Sequence, residues 1–354
     1  MKTLIKLIVF VIVIQSCETS KETKQQMLQE SSGQLAEVVV ITDKKSLDSS
    51  YKEEIRIAFG AKIEGLPYPS EPRFKVIFTD ETFFKGYIKD HFNVFILLTR
   101  DNLPKMSKFY GEKNQENIEK VIDNEDALGI KKADIWAKNQ KVFYVTAKNK
   151  NAMLAKLQNR KDDFLNLAIE QEQAVGSNKL FSSINRDTFY TRSLKSKGFS
   201  VRRPSSYRVA MNNAEFAWLR KVASGKEQQM NVLLFEEPYV SKEQLSTQNL
   251  LAIRNKYTKK YIPGRVDGSF MKHTNALEPV RSEFSYNGSY GVEIRAWWDM
   301  QGDWMGGPLM FKAVVDEQRK RIVFAEGFLY YPNEKKAKPF RELEIILNSL
   351  KVND

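Results

Sequence analysis

Residues Val280–Ile294 read VRSEFSYNGSYGVEI, two runs of mixed apolar and polar residues around Asn287-Gly288. Asn-Gly between such runs is a strong hairpin signal, because both residues tolerate the left-handed backbone that matches strand twist. Two registers are open. A two-residue turn pairs Phe284 with Gly291 and puts the apolar sets on opposite faces. A three-residue loop over 286–288, with Gly288 left-handed, pairs Phe284 with Tyr290 and Val280 with Ile294. It keeps Val280, Phe284, Tyr290, Val292 and Ile294 on one face, as a sheet with one buried side requires. We expect this second register.

Outward from the hairpin, a second one joins Leu309–Val315 to Arg321–Tyr330. Strands are expected at Tyr207–Met211, Glu215–Val222 and Met230–Phe235. Ser241 with Gln244 has the spacing of a capping box, predicting a helix from there to about Tyr261, ended by Pro263-Gly264. A last helix starts at Pro339, with Phe340, Leu343, Ile346, Leu347 and Leu350 as its buried stripe. Further upstream, Glu37–Thr42 (EVVVIT), Phe74–Thr79 and Phe92–Thr99 read as strands among short helices. Asp134–Ala137 and Val142–Ala147 read as a hairpin, followed by a long helix from about Asn151 into 171–174. The fold class expected is α+β: two mixed α/β halves with largely antiparallel sheets flanked by helices. The expected divisions are a signal at 1–16, a flexible tether at 17–35, an N-terminal α/β domain at 36–180 and a C-terminal α+β domain at 200–354.

The 354 residues are 42% hydrophobic and 28% charged, a globular composition. Lys2 and Lys6 precede an unbroken apolar run, Leu7–Ile14 (LIVFVIVI), too short to span a bilayer but of signal-peptide length. Ile14-Gln15-Ser16-Cys17 resembles a relaxed lipobox, which implies cleavage before Cys17 and acylation, palmitate included, of its thiol. Two or more acyl chains anchor a protein stably where one does not. We therefore expect a lipoprotein held in the cell envelope, at the outer membrane facing the periplasm. Lys21 and Lys24 break up the acidic run that would favour the cell surface. Cys17 is the sole cysteine, so the fold has no internal disulfide, thiolate cluster or cysteine nucleophile. His91 and His273 lack metal-ligand spacing, no nucleophile elbow, phosphate loop or dinucleotide fingerprint occurs, and neither a metal nor a cofactor is expected. Net charge is +12, or +10 without the signal. That favours anionic partners, such as a lipid headgroup or acidic glycan, besides another envelope protein. Nucleic acid fits the sign but not an exported protein.

The densest segment is Trp297–Pro308 (WWDMQGDWMGGP). Either Trp297, Trp298 and Trp304 form a platform for sugar or peptide with Asp299 and Asp303 as polar contacts, or Trp297 and Trp298 end a strand and the glycines make a bulged corner plugged by Trp304. Two stretches, Arg192–Arg208 and Asn249–Arg265, carry basic residues and no acidic ones. From the second, Arg254 and Arg265, with Asp267 beside them, join the candidate ligand-binding set. Asp267, Asp299, Asp303 and Glu326 are also candidates for a glycosidase-type acid/base pair. No residue is assigned a catalytic role, and a binding protein is preferred over a carboxylate-dependent glycan hydrolase.

The strings RPSSY (203–207), RNKYTKKYIPGRVDGSFM (254–271), EIRAWWDMQGDWMGGP (293–308), RIVFAEGFLYYP (321–332) and FRELEIILNSL (340–350) together resemble an uncharacterised family of Bacteroidetes lipoproteins, domain of unknown function 4837. The resemblance extends over most of the mature chain, best in the second half. It implies an envelope lipoprotein and no activity.

Overall fold

The computed structural model describes residues 28–66, 70–182, 198–223 and 227–352. Cys17 with the segment expected to be a signal, and Arg192, Lys195 and Lys197, lie outside the described residues.

The N-terminal half runs β1 (Glu37–Thr42), α1 (Ser49–Phe59), β2 (Lys75–Asp80), β3 (Asn93–Thr99), α2 (Leu103–Tyr110), α3 (Gln115–Asp123), β4 (Gly129–Ala133), β5 (Lys141–Ala147), α4 (Lys150–Asn159) and α5 (Lys161–Leu180). The sheet order is β2-β1-β3-β5-β4. Its first four strands are parallel and only β4 is antiparallel. Every residue of β3 (NVFILLT) is buried. Such a strand needs cover on both faces, which helical crossovers supply, and helical crossovers make parallel pairs. Tyr51 and Ile55 of α1, Met153 and Leu157 of α4 and Phe164 of α5 cover one face. Met106 and Phe109 of α2 and Ile118 and Ile122 of α3 cover the other.

Three local expectations shift in this half. The long helix breaks at Arg160, whose carbonyl accepts from Asp163 and Phe164 and so starts α5 afresh. The hairpin strand before β5 lies earlier, at β4, because Asp134 and Asn139 adopt left-handed backbone and turn 134–140 into its loop. Part of the stretch 17–35, expected to be a flexible tether, is packed on the fold. Ser31 N bonds Lys138 O at 3.1 Å and Ser32 N bonds Asp90 O at 2.9 Å, which lays this stretch on the fold.

The C-terminal half runs β6 (Phe199–Ser200), β7 (Arg208–Asn212), β8 (Phe216–Val222), β9 (Gln229–Pro238), α6 (Thr247–Tyr261), β10 (Phe270–His273), β11 (Val280–Tyr286), β12 (Ser289–Gln301), β13 (Gly306–Asp316), β14 (Arg321–Tyr330), α7 (Ala337–Leu347) and β15 (Lys351–Val352). An eight-stranded sheet has the order β10-β12-β13-β14-β9-β8-β7, with β11 also on β12, and its pairs are antiparallel. The chain as a whole is α+β. The capping box of Ser241 and Gln244 is present but closes only one turn, Lys242–Leu245; α6 proper is capped by the Ser246 hydroxyl on Asn249 N.

This sheet is covered on both sides. Phe340, Leu343 and Ile346 of α7 pack on Val314, Val323 and Leu329. Leu250, Leu251 and Tyr257 of α6 pack on the opposite face, over Phe311, Phe324 and Val292. Double cover decides the hairpin. Val280 pairs with Arg295 and Phe284 with Gly291, the two-residue register, correcting the three-residue loop expected above. Asn287 and Gly288 have φ of 48° and 85°, the left-handed pair that such a turn needs. Phe284 and Tyr286 pack on the α7 side while Val292 and Ile294 face α6. Opposite apolar faces are stable here because each has a partner. Gly291 has no side chain because the Phe284 ring lies 2.5 Å from where its Cβ would be.

The halves are joined through buried charge. Arg73, before β2, contacts Glu344 of α7 at 3.3 Å, and Arg295 of β12 contacts the same carboxylate at 2.6 Å. Burial opposes the ionisation of Glu344, but Arg341, Arg295 and Arg73 together outweigh it and hold the carboxyl at about 2.

Candidate functional site

Helix α6 covers the middle of its sheet face and stops at Tyr261. Beyond it the same face continues bare. Strand alternation places Trp218 and Arg220 of β8 on the side of Phe216, whereas Ala217 and Leu219 point to the α7 core. Across the ladder, Arg220 pairs with Asn231 of β9, Asn231 with Phe328 of β14, and Gln229 with Tyr330. Ile262–Arg265 and Met305 wall this strip, making a cleft of about 380 Å³.

The cleft is aromatic and cationic. Trp218, Trp298, Phe328 and Tyr330 line it, with Arg220 and Arg265. Trp218 Nε1 donates to Asn231 Oδ1 at 2.9 Å, which sets the indole plane. The Arg220 guanidinium lies 5.7 Å from the Trp218 ring centre, and its Nη2 donates to Gln229 Oε1 at 2.7 Å. Arg220 Nε is buried without a hydrogen-bond partner. A buried donor left unpaired costs free energy that an acceptor would recover. Burial, and secondarily Arg208, lower the Arg220 pKa, so an anion beside it is favoured.

The tryptophan-rich segment divides between core and solvent. Trp298 is 1% exposed; one edge of it borders the cleft floor, and its Nε1 donates to Leu329 O at 3.3 Å. It is therefore a core residue near a strand end and not part of an open platform. Gly307 makes room for it: a Cβ there would lie 1.9 Å from Leu329 O and 3.2 Å from the Trp298 indole nitrogen. Trp297 is half-buried on the other face of β12 and outside the cleft. Trp304, at the β12–β13 turn, is 97% exposed, so it does not plug the glycine corner; buried Trp298 fills that place. Asp303 ties that turn to the loop after α6, accepting from Arg265 N at 3.1 Å, Nε at 3.1 Å and Nη2 at 3.0 Å, and from Trp304 N at 2.7 Å. The Arg265 fork and these backbone donors hold the Asp303 carboxyl at about 2. Its role is to brace the cleft wall.

Other candidates lie elsewhere. Arg254 is completely buried and forms a two-pronged ion pair with Glu326, at 2.9 Å from Nε and 2.7 Å from Nη2. Neither meets solvent, so Arg254 leaves the ligand set and Glu326 the acid/base set. The pair lies where α6 crosses the sheet. Asp267 is exposed on its loop, and Asp299 is half-buried, accepting from Gln301 Nε2 at 3.3 Å; neither lines the cleft. Among the described residues Glu227 is the one carboxylate on the cleft wall. A glycosidase pair needs two, about 5–9.5 Å apart. The basic run on α6 is largely neutralised: Lys256 meets Glu237 at 2.8 Å and Lys260 meets Glu215 at 2.6 Å.

Sequence reasoning missed Trp218, Arg220 and Tyr330. The available signal was FAWLRKV (216–222), where an aromatic and a cation continue the face of a core phenylalanine.

No curated protein matches this chain. Among solved structures, the Ran-binding protein Mog1p of Saccharomyces cerevisiae aligns at 8% identity and TM-score 0.31, over 46% of this chain and 93% of that one. LpqN of Mycobacterium tuberculosis, involved in cell envelope biogenesis, aligns at 9% and 0.28, over 44% and 83%. Human STARD10 aligns at 11% and 0.22, over 49% and 98%. Residues 31–180 match the model of a domain of unknown function, DUF8532, so the two halves match separate families and the resemblance noted from the sequence narrows to the second. Residues 187–349 match the family model of the domain of unknown function DUF4837.

Proposed function

We propose that this protein is a lipid-anchored binding protein of the cell envelope that captures an acidic glycan in the cleft beside α6. The observation that carries the reading is Arg220: a guanidinium with no carboxylate paired to it among the described residues, 5.7 Å from the Trp218 ring centre, in a cleft sized for one or two sugar rings. Sugar rings stack on indole faces, and a uronate carboxylate pairs with a guanidinium. The lipobox at Cys17 and the basic mature chain support placing this site beside a membrane.

Titration of tryptophan fluorescence with an oligogalacturonate, against its neutral galactose counterpart, tests the ligand class. Arg220→Met is expected to weaken binding of the acidic sugar about tenfold or more and leave the weak neutral binding unchanged. Equal binding of both sugars, or no effect of Arg220→Met, would sink the reading. Cys17→Ser tests the anchor separately: the variant should leave the membrane fraction.

A further inference from the structure

A small pocket of about 90 Å³ lies at the junction of the halves, where α5 meets the α7 side of β12 and β13. Gln173 of α5, Arg73 before β2, Arg295 and Lys312 of the two strands, and Glu344 and Asn348 of α7 and its end all line it. It has room for an ion and a water or two, and none for a sugar acid or a lipid. We propose that this pocket binds one chloride ion, which completes the charge between the halves.

Charge in the pocket does not balance. Strand alternation leaves the α6 face to Val292, Ile294, Phe311 and Ala313 and puts Glu293, Arg295 and Lys312 on the other side. Arg295 Nη2 lies 2.6 Å from Glu344 and 2.8 Å from Glu293, Arg73 Nη2 lies 3.3 Å from Glu344, and Lys312 Nζ lies 3.8 Å from Glu293. Arg341, which also contacts Glu344, is offset by Glu172. Followed through every ion pair among the described residues, the network sets Arg73, Arg295, Lys312 and Arg341 against Glu172, Glu293 and Glu344, one cation in excess. All seven are largely withdrawn from water, where an uncompensated charge is costly. Desolvation lowers the Lys312 pKa, and Glu293 and Glu344 offset that only in part.

The donors left over select the ion. Arg73 spends Nη1 and Nη2 on Glu344, and Arg295 spends Nε on Glu293 and Nη2 on both carboxylates. Arg73 Nε and Arg295 Nη1 are buried and have no hydrogen-bond acceptor among the described residues. Lys312 Nζ, which carries three hydrogens, donates one to Asn348 Oδ1. Carboxylates and phosphates are recognised by paired, parallel N–H groups. Single donors on three separate residues suit instead a spherical ion, which accepts from any direction. One excess charge matches one chloride. The site is independent of the glycan cleft, which opens on the α6 face of the same sheet.

Thermal unfolding of the full chain in potassium chloride, against potassium gluconate at equal ionic strength, tests the site, because gluconate is too large to enter. Chloride should raise the melting temperature saturably, by about 2–4 °C, and bromide should do the same. Lys312→Met leaves three cations against three carboxylates and keeps the aliphatic stem, so the chloride-dependent rise should vanish. Glu293→Gln doubles the excess and should lower the half-saturating chloride concentration about threefold or more. Arg220→Met, in the cleft, should leave the rise intact. Crystals grown in bromide should show an anomalous peak between Arg73, Arg295 and Lys312, a readout that does not depend on any variant folding. Coincident curves in the two salts, a full chloride effect in Lys312→Met, or bromide bound only elsewhere would each overturn the proposal.

Discussion

Arg341 of α7 places its Nε 2.7 Å from Oε2 of Glu172 in α5, and the two side chains are 1% and 0% exposed. This contact joins halves that match separate families. Its energetics follow from burial. Losing one partner strands a charge, which costs about 3–5 kcal/mol, whereas losing both costs far less. Arg341→Met should therefore lower stability by about that amount in urea, and adding Glu172→Gln, which keeps an acceptor for Ala36 N, should recover much of it. A double variant no better than the single one would assign the loss to packing alone.

Acid should weaken the same junction. Glu344 ionises at about 2 in the folded chain against an ordinary 4.5. A lowered carboxyl contributes stability that is complete above the unfolded value and disappears as pH falls through the folded one. The urea midpoint should drop as pH falls from about 4.5 towards about 2, and Glu344→Gln should be less stable at about pH 5 with a flatter acid limb. Glu172 runs the other way: burial raises its pKa, and Arg341 offsets that only in part. A slope unchanged in Glu344→Gln would move the acid sensitivity to another group.

The tryptophans at 298 and 304 should separate cleanly. Trp298→Ala opens a core cavity and should cost about 3–5 kcal/mol. Trp304→Ala removes a side chain that is 97% exposed and should stay within about 0.5 kcal/mol of the parent. Thermal unfolding of the two variants, side by side, checks the assignment.

Gly307→Ala tests the corner from beneath. Its methyl would lie 1.9 Å from Leu329 O, so β13 or β14 must move and Trp298 must tilt. A loss of about 1–3 kcal/mol and a changed near-ultraviolet tryptophan signal are expected. Unchanged spectra would show that the corner has room to spare.

Several features were legible along the chain. Glu37–Thr42 and Phe92–Thr99 read as strands, the Asn287-Gly288 turn was located, and Pro339 lies in the first turn of the last helix. Others were not. The ladder register was misjudged because alternation shows that a face is apolar, not whether the opposite face is covered as well. Arg254 looked available because its partner, Glu326, is 72 residues away. Trp298 and Trp304 share one segment, yet only the bend of that segment across a sheet end separates core from solvent.

Local chemistry along the sequence determined where many of the strands and helices form. The assembled structure decided which residues meet: a cleft where α6 ends, a pocket where the halves join, and charges sealed between them. Side-chain patterning is short-ranged, whereas cover, exposure and pairing depend on which distant element packs above, and that follows only once the whole chain has closed on itself.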